Sequence, residues 1–302
     1  RARKASEDLA AWLDAKAAST TGPSVIGVEN YDWYLKHVQL VPYNWKEEVV
    51  LMERELARAD ALLAMEELRN AALPLEAPIG NAEEFSRGEE VETAEGEGFR
   101  GAHGCRPAAE WRGRARRGRV GTCQNGTIVF FSEVDYRDLG VMRTHGYHWF
   151  DQGWMARAPH ASPIRREALL YNIFNTRTEG HATGWEELMM QAGMFDARPR
   201  SRELVYILLA ERAARALGGL KMHSNELTLE QASSFASANT PREWLRLSRG
   251  LVRGAQHLYP HPPSYAPPHP TATLAAETLP PRRPAPRGHP PPPHTSPASC
   301  AG

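Results

Sequence analysis

The strongest constraint on what this chain can fold into is where its apolar residues stop. Residues 87–127 hold nine glycines and eight arginines, with no leucine, isoleucine or methionine. Such a segment cannot bury enough apolar surface to offset the conformational entropy of ordering it. Fifteen of the 24 prolines lie between Pro260 and Pro297, which makes 254–302 an extended, proline-rich tail. The 302-residue chain therefore divides into a helical part over 1–86, a disordered insert over 87–127, a second helical part over 128–253 and a disordered tail over 254–302.

Within the two helical parts the apolar spacing is that of amphipathic helices. Residues 6–17 carry Leu9, Trp12, Leu13 and Ala17 at helical intervals. "ENYDWYLKHV" reads as a short helix ended by Pro42. Asn44 followed by Glu47 reads as a helix start, with a side-chain acceptor for the free N–H groups of the first turn. It opens the longest amphipathic stretch, whose stripe is expected at Val49, Met52, Leu56 and Leu63. Residues 201–217 form a second strong helix entered after Pro199. Thr228 with Gln231, and Thr240-Pro241 with Glu243, both have the capping-box spacing. Ile128–Phe131 is a short β-like run and "REALLYNIFN" a further helix. The fold class expected is all-α with at most trivial sheet.

Charge excludes more than it suggests. There are 36 basic and 36 acidic residues, so nothing argues for a nucleic-acid or membrane-surface partner. No apolar run reaches the length of a membrane-spanning helix. The acidic "GEEVETAEGEGF" precedes the arginines of the insert, and no interleaved aromatics offer a stacking platform. This favours a solvated insert over a nucleic-acid arm. The tail reads as solvated in preference to an SH3-type ligand. The chain opens on Arg1 rather than methionine, so the natural N-terminus is expected to be missing; a cytoplasmic setting is slightly favoured.

Candidate chemistry is concentrated in "NTRTEGHATGWEEL", residues 175–188, with Glu179 and His181 beside Gly180 and Gly184. Two residues apart, Glu179 and His181 do not share a helix face, so a metal at Glu179 needs ligands from elsewhere. His145 and His148 in "RTHGYHWFD" stand three apart, share a face, and as neutral imidazoles suit zinc. Three cysteines form neither a disulfide framework nor a cysteine zinc site. GxSxG, GxxxxGK[ST] and GxGxxG are absent.

Two long stretches then look familiar. "NTRTEGHATGWEELMMQAGMFDARPRSRELVYILLAERAARALGGLKMHSNELTLEQASSFAS" and "IGVENYDWYLKHVQLVPYNWKEEVVLMERELARA" resemble the bacterial domain-of-unknown-function 885 family. That family is similar to helical zinc metallopeptidases. The resemblance implies a zincin-like helical fold with a groove, zinc as cofactor, and a peptide or small amide as substrate. The family pattern is His-Glu-x-x-Pro-Gly-His followed later by Glu-Gly-Trp-Ala; the two histidines and the later glutamate hold zinc, and the first glutamate is the general base. Glu179-Gly180 matches the later ligand motif, with His181 in place of tryptophan. His223 matches a histidine that steadies substrate or oxyanion, which makes it the candidate catalytic residue. Near the expected separation upstream lies Thr144-His145-Gly146-Tyr147-His148, so the implied metal ligands are Glu179, His145 and His148.

The departures from the pattern bear on activity. Gly146 stands where the catalytic glutamate would fall, the Pro-Gly-His part is absent, and Gly219 occupies a position that is often aspartate. The resemblance therefore implies a retained ligand half and a degenerate catalytic half. The alternatives are a non-catalytic helical binding protein, or a gene product whose reading frame shifts near Arg87 and Arg253.

Overall fold

The computed structural model describes residues 2–17, 19–20, 25–39, 41–81, 83–85, 87–88, 130–146, 159, 161 and 173–244, without the side chains of 173–178 and 181. The described residues are helical and contain no strand, so the all-α expectation holds. The tail over 254–302, and all of the insert except Arg87 and Gly88, lie outside the described residues.

Helix α1 runs Ala2–Ala17, and none of its residues is buried. Leu9, Trp12 and Leu13 lie where their spacing puts them, but on an exposed face. Helix α2 (Gly27–Tyr34) continues into a π-helical turn over Leu35–Gln39 before Pro42 ends the segment.

Helix α3 (Trp45–Arg69) starts at a complete capping box. Asn44 Oδ1 accepts from the Glu47 amide at 3.0 Å, and the Glu47 carboxylate accepts from the Asn44 amide at 2.9 Å. Its buried stripe differs from the expected one. Met52 and Leu63 are buried as expected, but Val49 and Leu56 are only partly so. The fully inward face is Glu48, Met52, Glu55, Ala59, Leu63 and Glu66, followed by Asn70 at the C-cap. Spacings of four and three keep these residues on one side of the helix. Three carboxylates thus occupy positions that a reading for hydrophobicity assigns to solvent.

Ile128–Phe131 is not a strand where it is described. Phe130 and Phe131 open helix α4 (Phe130–Asp135), in which Phe130 and Val134, four apart, are buried together. Burial on a helical face has overridden the local β-preference of the run. Helix α5 (Leu139–His145) is capped by Asp138, whose carboxylate accepts from Gly140 N at 2.7 Å. Helix α6 spans Ile173–Gln191; of "REALLYNIFN", only its last three residues are described.

Helix α7 (Pro199–His223) is the central element, with 19 of its residues buried. Proline at its first turn costs nothing, since that N–H has no helical partner in any case. Helix α3 packs along α7, and the C-terminal part of α7 also meets helix α8 (Leu229–Ala238). Gly218 sits at that second contact: a Cβ there would come within 3.0 Å of the Ala232 carbonyl oxygen, so a hydrogen side chain lets the two backbones approach.

Helix α8 begins at a second complete capping box, Thr228 with Gln231. The third such spacing behaves differently. Thr240 makes no cap; its hydroxyl donates instead to the Ala236 carbonyl at 2.8 Å, and Pro241–Glu243 is only a 3-10 turn. Arg242 there has φ 60°, in the left-handed region, and its guanidinium is held by Glu67 and Glu203. These contacts with α3 and α7 replace a fourth well-capped helix.

The core has two neighbouring clusters. One joins Leu63 of α3 to Phe130, Val134, Val141, Met190, Phe195 and the Leu204–Leu208 run of α7. The other joins Tyr31, Leu35 and Met52 to Ala216, Leu217 and Leu220. The helical parts expected on either side of the insert therefore share one interior.

Candidate metal centre

His145 is the last residue of α5, and the anchoring of that helix fixes where the imidazole sits. Asp138, which caps α5, also accepts from Arg198 Nη1 at 3.1 Å and from the Ser201 hydroxyl, so the helix start is tied to the start of α7. Val141 and Thr144 are wholly buried, and the Thr144 hydroxyl turns back to the Val141 carbonyl at 2.7 Å. His145 is thereby held against α6.

On α6 the ring meets two carboxylates. Its Nε2 lies 3.7 Å from Glu179 Oε2, and its Nδ1 lies 2.7 Å from Glu186 Oε1. Glu179 and Glu186 are seven residues, two helical turns, apart and so share a face. Arg212 of α7 closes the group. Its Nη1 is 2.6 Å from Glu186 Oε2, its Nη2 is 2.8 Å from Glu186 Oε1, and both side chains are essentially sealed from solvent.

Burial pushes the Glu186 carboxyl upward, but the Arg212 charge and the His145 contact outweigh burial and hold it below the usual carboxylate range. Burial pulls His145 downward; the nearby Glu179 and Glu186 carboxylates outweigh that, despite the Arg212 charge, and raise it above the ordinary histidine value.

Of the three ligands expected, His145 and Glu179 come together, and His148 lies outside the described residues. Among the described residues no group of three or more histidine, cysteine or carboxylate side chains converges to hold a metal. The pair nonetheless suits zinc. Two donors at bonds of about 2.1 Å and tetrahedral angle stand roughly 3.4 Å apart, close to the 3.7 Å between Nε2 and Oε2. Imidazole nitrogen and carboxylate oxygen are also both ordinary zinc donors.

His223 is placed elsewhere. It ends α7 eleven residues after Arg212, about 16 Å along the helix at 1.5 Å per residue. Its ring is buried against Tyr31 of α2, with centroids 5.3 Å apart. Tyr31 in turn feels the charge of Glu48 on α3.

Glu186, Arg212 and Glu48 were not singled out by sequence reasoning. Glu186 could have been found by counting two turns on from Glu179. Arg212, inside "LLAERAARAL", carries no local signal, because its partner comes from another helix. Comparison with protein-family models, with curated proteins and with solved structures finds no match for the chain. Among the described residues no helix is long and apolar enough to cross a membrane.

Proposed function

We propose that this chain is a zinc-binding helical protein of the metallopeptidase-like kind its sequence resembles, with a zincin-like fold, the ligand half retained and the catalytic half degenerate. The observation that carries the reading is the 3.7 Å approach of His145 Nε2 to Glu179 Oε2. His145 and Glu179 would hold the metal, and His148, three residues beyond His145, is the third ligand by spacing. Zinc in such a site supplies Lewis acidity and a water of lowered pKa. The residue that would take the proton from that water is missing where the family pattern puts it, since Gly146 has no side chain. The protein is then a metal-dependent binder of peptides or small amides, in which hydrolysis is slow or lost. His223 would act at a distance along α7 that an extended peptide spans and a small amide does not.

A second reading has its own observation. With a carboxylate at each ring nitrogen, His145 can serve as an imidazolium in a purely structural ion cluster. Elemental analysis of the purified chain beside Glu179→Ala separates the two. About one zinc per chain, lost in the variant, is the result expected. No metal in either, with the helical fold intact, would leave the structural cluster as the explanation.

A further inference from the structure

We infer that Glu186 and Arg212 are positioning residues for His145: they keep the proton on Nδ1 and turn Nε2 toward Glu179. The significance of this arrangement for metal binding rests on the zinc reading above; the arrangement itself does not.

The argument starts from competition at Nδ1. Glu186 Oε1 lies 2.7 Å from Nδ1, and Arg212 Nη2 lies 3.4 Å from it. A carboxylate there requires an Nδ1–H donor, whereas a guanidinium requires a bare nitrogen. The shorter contact is within the range of a charge-assisted hydrogen bond, while the longer lies at the weak end. Arg212 also has both terminal nitrogens aimed at Glu186, at 2.6 and 2.8 Å. Its fork fixes the carboxylate and makes both of its oxygens acceptors, so Oε1 meets Nδ1 as an acceptor as well. Nδ1 is left as donor, and Nε2 is the nitrogen that faces Glu179.

Energetics point the same way. A buried ion pair seldom stabilises a fold more than apolar side chains of similar size would, because desolvation cancels much of the attraction. A sealed Arg–Glu pair that costs this much and ends on an imidazole is better explained by what it does to the imidazole. A histidine whose far nitrogen donates to a carboxylate is also the usual support of a metal-bound ring.

The test uses the full chain with 15N-labelled histidine, as wild type and as the double variant E186M/R212M, which replaces the pair by apolar side chains of comparable length. In metal-free wild type, His145 should show a protonated Nδ1, assigned by its absence in H145Q. Adding zinc should shift Nε2 and leave Nδ1–H in place. The double variant should lose the fixed Nδ1–H and bind zinc roughly 10- to 100-fold more weakly. A wild-type ring with bare Nδ1, or equal zinc affinity in the two proteins, would overturn the inference. If the double variant does not fold, the wild-type ring still decides. Wild type that takes up no zinc but keeps Nδ1–H would sink the zinc reading and leave the positioning role standing.

Discussion

Arg212 and Glu186 meet as a parallel fork, 2.6 and 2.8 Å apart, with side-chain exposures of 2% and 0%. Removing one partner leaves the other charge buried, so Arg212→Met or Glu186→Met alone should each cost about 3–5 kcal/mol. The double change removes both charges together and should recover most of that loss. Arg58 and Glu187 form a fork of similar geometry, at 2.7 and 2.9 Å, but with side chains 31% and 22% exposed. There Glu187→Met should cost about 1 kcal/mol or less, since water and salt screen the pair and Arg58 keeps its bond to Glu55. Urea midpoints of the four variants check the contrast; similar losses at both forks would contradict it.

The caps make a second comparison. Asn44→Ala and Thr228→Ala each remove a side chain that satisfies a first-turn amide, and each should cost about 1 kcal/mol. The Thr240 hydroxyl caps nothing and bonds back to Ala236. Thr240→Ser keeps that bond and loses only a buried methyl, so it should cost at most about 0.8 kcal/mol through packing rather than capping, and thermal melts of the three variants read the difference.

Much of the fold was legible because local rules and tertiary packing agree. The helix start at Asn44, the capping box at Thr228 and the proline entry to α7 stand where the sequence puts them. The errors fall where a distant partner decides. Glu66 of α3 is inward where Arg202 of α7 meets it, and Asn70 where it donates to Glu203 of α7 at 2.8 Å, while Glu55 pairs with Arg58 of its own helix, whose guanidinium is held in turn by Glu187 of α6. A stripe drawn from hydrophobicity alone cannot anticipate ion pairs made with another helix. The candidate site divides the same way. The i, i+3 histidines and the Glu179 motif are local patterns. The pairing of Glu186 with Arg212, 26 residues away, exists only once α6 and α7 pack.

At Glu48 burial has no ionic partner among the described residues. Its side chain is sealed on α3 and neither carboxylate oxygen has a hydrogen-bond partner among them. Tyr31 from α2 and Glu47 from the same helix are its titratable neighbours, Asp32 lies beside Tyr31, and the tilted His223 ring of α7 lies 5.3 Å from the Tyr31 ring. Burial first, and then the Glu47 charge, push the Glu48 carboxyl up from 4.5 to about 8. Below pH 4.5 both folded and unfolded chains hold this proton, and Glu48 costs nothing. Between about 4.5 and about 8 the unfolded chain gives up the proton and the folded chain keeps it, so stability falls as pH rises. Above about 8 the folded chain loses it too, and the penalty is complete. The slope is at most about 1.4 kcal/mol per pH unit, which accumulates to a few kcal/mol. His145, held high by its carboxylates, slopes the same way above the ordinary histidine range, so wild type alone does not isolate Glu48. Glu48→Gln does, because the amide fills the same space without titrating. The stability of Glu48→Gln relative to wild type should rise steadily from pH 5 to pH 8 and then level off. A difference that stays constant over that range would mean that Glu48 is not folded as the neutral acid.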